Sequence, residues 1–361
     1  MARVGQSSTY RAAVIACGRI SRAHASGYIA NPNVELTACA DINPEALEAF
    51  GSQFNVPPQK RYLDYNEMLE QEKPDLVSVC SLHPLHASMT VDAAKHRPKA
   101  ILCEKPIALS LAEADTMMDA CERSGTLLII GHQRRFSPQY IAAYQALKAG
   151  EIGELQSIET HGHPGCSLMV DGTHTIDLVR WYAGDESIDW VFGQIDSTDH
   201  GSAWGGRVEN AALVFFRFAT GVRAFMTLGH HSSPERGLDP IWPDVPGGVY
   251  HQIILRGTKG QIEIDGDSPV EGRPWVRLVR NGAVEEVSLP QFEKRTHARV
   301  IRAMLETFET GAPHILEASS ARATLEVIMA IYESSRRRAV VELPLSVSEN
   351  PLFDMLDSGK I

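Results

Sequence analysis

Apolar residues in the first third of the chain fall in short runs separated by segments with helical spacing. Residues 11–17 read as a buried strand, 20–31 as a helix, 34–40 as a second strand and 44–53 as a second helix. Asn43 stands at the cap of that second helix and Pro44 at its first position, the arrangement helix starts favour. Further apolar runs at 76–80, 100–103 and 127–130 predict strands. Helices are predicted over 85–97 and 111–124 between them, the latter opened by a Ser110 and Glu113 capping box. Strands alternating with helices predict a parallel sheet covered on both faces, because a parallel strand needs a crossover to bring the chain back.

The pattern changes after a helix that follows Ser137-Pro138 and runs to Ala149-Gly150. Strands are predicted near 156–161, 190–197, 211–218, 222–229, 251–256 and 260–264, with two more between 275 and 289. Short turns such as Ala219-Thr220-Gly221 join most of them and favour antiparallel pairing. One helix over 173–182 interrupts the series, and two late helices, 297–309 and 319–335, are expected to cover the sheet. Residues 232–248, with Pro234, Pro240, Pro243 and Pro246, read as a long loop. The expected class is α/β: a doubly wound parallel sheet over 1–133, then an α/β domain over 134–361 with a large, open, mostly antiparallel sheet.

Composition agrees with two domains, since 361 residues exceed one ordinary core and 43% hydrophobic content can fill two. A net charge of -11 argues against nucleic acid as a partner, which needs clustered Lys and Arg. The one dense basic cluster, Arg336-Arg337-Arg338, closes a predicted helix, where cations suit the dipole. Six cysteines without a Cys-x-x-Cys spacing predict reduced, mostly buried thiols and a cytoplasmic setting. Residues 1–10 are polar, and no apolar run approaches the roughly 18 residues that span a bilayer, so no membrane partner is expected.

The first strand ends in Ala16-Cys17-Gly18-Arg19-Ile20-Ser21, at the spacing of the Gly-x-Gly-x-x-Gly dinucleotide turn, with only the middle glycine present. That glycine lets the backbone approach a pyrophosphate held by the amides of the next helix. The second strand ends at Asp41, where a carboxylate can accept from the adenosine ribose hydroxyls and repel a 2′-phosphate. No Arg or Lys follows in Ile42-Asn43-Pro44, so NAD is expected over NADP. The alternative for Asp41 is a turn residue capping Asn43-Pro44.

Several later motifs join the glycine turn in order and spacing: Glu104-Lys105-Pro106, Gly131-His132-Gln133-Arg134-Arg135-Phe136, 148–153 at the domain junction, and Gly172-Thr173-His174-Thr175-Ile176-Asp177. Together they resemble the Gfo/Idh/MocA family of oxidoreductases, over nearly the whole chain. The resemblance implies NAD as cofactor and a sugar, sugar derivative or cyclitol as substrate. It also implies self-association as a homodimer or homotetramer through the C-terminal sheet. It places Glu104 and Lys105 at the nicotinamide end of the cofactor, with Ser81, Leu82, His86 and Gln133 also lining it, and puts the catalytic histidine at His174. Inositol-type members carry an aspartate four residues before that histidine, where this chain has Val170, with Asp171 three before instead.

Oxidising a secondary alcohol needs a base for the hydroxyl proton and a cation to favour the developing alkoxide. His174 suits the first role and Lys105 the second. Asp177, three residues after His174 on a helix, can orient the imidazole or bind a substrate hydroxyl, while Asp171 can cap the helix or reach the substrate. His161 and His163 are candidate contacts to substrate hydroxyls, and Arg134 and Arg135 either bind an acidic sugar or end a loop in solvent. A metal is not expected, because no pair among His161, His163, His230, His231 and His251 has the helical i, i+4 spacing. Two rival readings remain: a glycoside-cleaving enzyme that oxidises and re-reduces its sugar with NAD held throughout, and a non-catalytic NAD sensor.

Overall fold

A computed structural model of the chain describes residues 9–162, 167–197, 201–229, 252–267 and 272–359. Two compact units are present. The first comprises Met1–Ala108, Glu113–Gln133 and Glu293–Ser319, and the second comprises Leu109–Ala112, Arg134–Phe292 and Ser320–Ile361. The expected junction near residue 133 is therefore crossed again later, when 293–319 returns to the first unit.

The first unit is built on β1 (Tyr10–Ile15), α1 (Ser21–Ile29), β2 (Val34–Ala40), α2 (Pro44–Gln53), β3 (Arg61–Tyr62), α3 (Tyr65–Glu72), β4 (Leu76–Val79), α4 (His86–Lys95), β5 (Ala100–Cys103), α5 (Leu111–Ser124) and β6 (Leu127–Ile130). Its six strands are parallel in the order β3-β2-β1-β4-β5-β6. The order reverses between β1 and β4, the switch point where open α/β sheets bind ligands at the carboxyl ends of the strands. All four residues of β4 and of β5 are buried, as a sheet covered on both faces requires. At α2 the Asn43 side chain accepts from the Glu45 and Ala46 amides, so the cap expected from the sequence is formed. Sequence pattern missed β3 and α3. Only two residues of β3 pair, Arg61 with Cys39 and Tyr62 with Ala40, and α3 buries just Met68, Leu69 and Glu72, too little for a periodic signal.

The second unit contains α6 (Pro138–Lys148), β7 (Leu155–His161), α7 (Thr173–Tyr182), β8 (Ile188–Asp196), β9 (Gly201–Ala203), β10 (Gly206–Val208), β11 (Ala211–Phe218), β12 (Arg223–Gly229), β13 (Gln252–Gly257), β14 (Gln261–Ile264), β15 (Val276–Arg280) and β16 (Ala283–Glu286). After α8 (Thr296–Thr310) it resumes with α9 (Ala318–Arg337), β17 (Val341–Glu342) and α10 (Pro351–Asp357). Nine strands form one sheet in the order β16-β15-β14-β13-β7-β12-β11-β8-β17, antiparallel except for β7 with β12. Val214, Phe216, Ala224 and Met226 point to the covered face, where Gly193 of β8 lies so close to α9 that an added Cβ would meet Ile331 at 2.7 Å. On the other face Phe215 stands directly between Phe192 and Phe225 in register, and all three are exposed. The basic cluster ends α9 as expected, with Arg336 and Arg337 both paired to Glu333.

The helix over 296–310 corrects an expectation. It does not cover the second sheet but packs on α1, where Gly27 leaves room that a Cβ would fill at 2.8 Å from Ile301 Cδ1. Its buried face is Ala298, Val300, Ile301, Met304 and Leu305, and Asn31 Nδ2 donates to the Ala298 carbonyl at 3.1 Å. A helix of amphipathic pattern states that it covers an apolar surface, not which one. The loop expected over 232–248 lies outside the described residues, as do His163, His230, His231, His251 and Cys166. The five described cysteines are buried and unpaired, and burial pushes Cys121 up to about 12.

Candidate cofactor and catalytic site

At the end of β1 the chain turns at Ala16, whose φ of +69° is the left-handed conformation that the missing first glycine would adopt freely. Ser21, at the third glycine position, is buried and its hydroxyl donates to the Gly18 carbonyl at 2.6 Å. Gly18 is exposed, and an added Cβ there would meet nothing within 4 Å, so the turn leaves open the approach a pyrophosphate requires. Ala16 carries strain of about 1–2 kcal/mol. Ala16→Gly is expected to stabilise the protein by about 0.5–1 kcal/mol after the glycine's extra unfolded-state entropy is subtracted. Thermal denaturation checks this, and a lower midpoint would contradict the strain.

Asp41 follows β2 and does two things at once. Its Oδ2 accepts from the Cys17 amide at 2.6 Å and its Oδ1 from the Asn43 amide at 2.7 Å. The turn role weighed from the sequence is thus present, and it fixes the carboxylate at the mouth of the glycine turn. An ionised carboxylate has about four acceptor positions, so these two bonds leave capacity for ribose hydroxyls. A cleft of about 230 Å³ opens beside it, lined by Ala16, Asp41, Ile42, Leu63, Ser81 and Leu82 among others. Leu63 and Leu82 expose apolar surface there, and the Ser81 hydroxyl is buried with no partner among the described residues. An apolar slot with an orphaned hydroxyl and a fixed carboxylate fits the adenosine half of a dinucleotide.

Further along the same strand ends, Lys105 follows β5 and is half-buried. Gln133 follows β6, and its side-chain carbonyl is buried without a partner among the described residues. Two expected contacts differ. His86 is fully buried, with Nδ1 2.7 Å from the Pro106 carbonyl and Nε2 3.2 Å from that of Ser81, so it ties two loops together rather than lining a cofactor. Burial lowers its proton affinity. Glu104 also turns inward. It is 6% exposed, it accepts from His24 Nε2 at 2.9 Å, and Gly131 packs so close that a Cβ there would lie 2.8 Å from its Oε1.

In the second unit a wide π-type turn, Leu168–Gly172, leads into α7. His174 is buried in the first turn of α7. Asp171 lies inside the wide turn, one residue before Gly172 at the start of α7. Asp177 forms a buried bidentate pair with Arg135, Oδ2 to Nε at 2.9 Å and Oδ1 to Nη2 at 2.8 Å. It anchors that guanidinium, which also binds Asp185 at 2.7 Å, a role the sequence did not show. Arg134 pairs with Asp267 at 2.6 Å, its side chain 14% exposed rather than ending a loop in solvent. His161 is buried with Nδ1 3.0 Å from the Thr227 hydroxyl.

Sequence reading missed Glu209. Its buried carboxylate accepts from the Leu168 amide and, at 2.7 Å, from the Tyr332 hydroxyl, and so pins the start of the wide turn to α9. Burial raises its pKa. Nothing in the local sequence distinguishes it from a solvated glutamate.

The turn, the acidic residue at the end of β2 and the cleft define a dinucleotide-binding oxidoreductase class. Residues 10–132 match the oxidoreductase family described as having an NAD-binding Rossmann fold, and residues 140–263 match the GFO/IDH/MocA C-terminal domain. The chain belongs to the Gfo/Idh/MocA oxidoreductase family, and its cofactor is NAD. It is 25% identical to D-apiose dehydrogenase of Paraburkholderia graminis, over 98% of this chain and 94% of that protein. It is 29% identical to myo-inositol 2-dehydrogenase of Thermotoga maritima, over 71% and 75%. Among solved structures, aldose-aldose oxidoreductase from Caulobacter crescentus complexed with glycerol superposes with a TM-score of 0.77 at 24% identity, covering 93% of this chain and all of that one. Among the described residues no helix is long and apolar enough to cross a membrane.

Proposed function

We propose that the protein is an NAD-dependent dehydrogenase that oxidises a secondary hydroxyl of a sugar, sugar derivative or cyclitol, or runs the reverse reduction. The observation that carries this reading is Lys105, a half-buried cation at the carboxyl end of β5 on the same sheet edge as Gly18, Asp41 and Ser81. Relatives named as apiose and inositol dehydrogenases support the substrate class.

Bound NAD would supply, at nicotinamide C4, the acceptor for the hydride that leaves the carbinol carbon. Lys105 stabilises the negative charge that develops on the substrate oxygen. His174 accepts the hydroxyl proton as general base, so that alcohol and NAD give ketone, NADH and one proton. Asp171, carried on the wide turn into α7, is assigned as the assisting acid, since Asp177 is committed to Arg135. Gln133 presents a carbonyl to the cofactor.

Incubation of the protein with NAD and a panel of aldoses, lactones' parent sugars and cyclitols is expected to raise the near-ultraviolet absorbance of NADH for at least one of them, and NADP to serve poorly because of Asp41. Release of free sugar from glycosides without net NADH would replace this reading with transient oxidation. No turnover on the whole panel despite bound NAD would leave the sensor reading.

We also infer self-association through the open face of the nine-stranded sheet. Three exposed phenylalanines in one cross-strand row, with Leu213 beside them, form an apolar band that water does not favour. Light scattering is expected to give a dimer or tetramer, and Phe215→Glu a smaller species. A monomeric wild-type protein would refute it.

A further inference from the structure

Glu104 sits next to Lys105 yet faces away from solvent into a group of side chains drawn from three helices and strands of the first unit. His24 on α1 places Nε2 2.9 Å from its Oε1 and Nδ1 2.9 Å from the Ser78 hydroxyl of β4, and the Tyr28 hydroxyl lies 2.8 Å from that of Ser78. His24, Tyr28 and Ser78 are fully buried. His297 on α8 closes the group, its ring centroid 5.2 Å from that of His24, and its Nε2 is buried without a partner among the described residues.

The hydrogen bonds around His24 are fully satisfied by one arrangement of hydrogens. In a neutral ring with the proton on Nε2, Tyr28 donates to Ser78, Ser78 to Nδ1 and Nε2 to Glu104, and each hydrogen has one acceptor. With an imidazolium, Nδ1 also donates to Ser78, and one of the two buried hydroxyl hydrogens is left without an acceptor. Burial opposes the charge on Glu104, and the His24 hydrogen bond, aided by the Lys105 charge, outweighs it and holds the carboxyl below its usual range. Burial first of all lowers His297 to about 4 and His83 to about 3. Burial likewise keeps His86 and the Cys80 thiol neutral. Lys105, next in the chain, acts on Glu104 as a neighbouring cation.

We propose that the Tyr28–Ser78–His24 chain fixes Glu104 as a permanent buried carboxylate, that His297 shields it, and that this anion positions Lys105 and keeps it protonated for the reaction. His24, Glu104 and His297 are positioning residues in this scheme, which rests on the role given to Lys105 above. A divalent metal is the rival occupant, because one donor atom from each of the three lies within 4.8 Å of the others.

Nitrogen-15 histidine spectra of the full-length, NAD-loaded protein are expected to show His24 neutral and protonated on Nε2 at neutral pH. Lysine titration followed by NMR should show the Lys105 midpoint falling by about one unit or more in Glu104→Gln. His24→Phe should lower it in the same direction, while His24→Gln, which keeps a donor, should stay near wild type. The basic limb of the kcat/KM profile should move with it. An imidazolium at His24, an unmoved Lys105 midpoint in Glu104→Gln, or one equivalent of added zinc bound with loss of the His24 and His297 proton signals would each overturn the proposal. The wild-type spectrum needs no variant to fold. None of the spectroscopic readouts uses turnover, so a protein inert on every sugar in which Lys105 still shifts would refute the assigned reaction and leave this device standing.

Discussion

Lys105→Met is expected to lower kcat/KM for the sugar substrate by about a thousandfold, roughly 4 kcal/mol of transition-state stabilisation, with the NAD dissociation constant changed by less than about threefold. Methionine keeps most of the apolar stem and removes only the charge. The loss should fall on kcat, because the cation matters most when the oxygen becomes an alkoxide. His174→Asn is expected to cost about a hundredfold or more and to flatten the acidic limb of the pH profile. Rates within about tenfold of wild type for Lys105→Met would remove it from the chemistry.

Arg135→Met is expected to destabilise the protein by about 3–5 kcal/mol, lowering the thermal midpoint by about ten degrees. The guanidinium is 2% exposed and holds Asp177, Asp185 and the Ser320 hydroxyl together, with Trp181 5.9 Å away. Without it, Asp177 is a buried carboxylate inside α7 with its cation removed. Arg135→Met combined with Asp177→Asn should recover a good part of the loss, because the uncompensated charge goes too. Circular dichroism melts of the wild type and the two variants measure both effects. A double variant no more stable than the single one would show that packing, not charge, holds this corner. Since α7 carries His174, the single variant should lose activity as well.

These residues also mark how far the sequence reaches. The turn at Asp41 and the helix that carries His174 were legible because each stands at a fixed distance from a strand end or a helix start, and local chain geometry fixes its surroundings. Asn43 was legible as a cap for the same reason. Asp177 and His86 were misread. From the sequence each is a polar residue near chemistry, and its true partner lies elsewhere in the chain: Arg135 for Asp177, the Pro106 carbonyl for His86. Glu209 gave no signal at all, because a carboxylate becomes unusual only when folding removes its water.

The sequence by itself determined the strand and helix alternation, the two-domain class and the dinucleotide turn. Periodicity and turn chemistry act over a few residues and need no tertiary partner. Only the tertiary structure decided that α8 returns to the first unit, that Ala16 takes the conformation of the glycine it replaces, and that Glu104 turns inward to His24. Those outcomes depend on which surfaces bury one another, and a contact between residues 24, 104 and 297 has no local signature. Glu104 stands next to Lys105 in the sequence, but its burial against His24 appeared only in the fold.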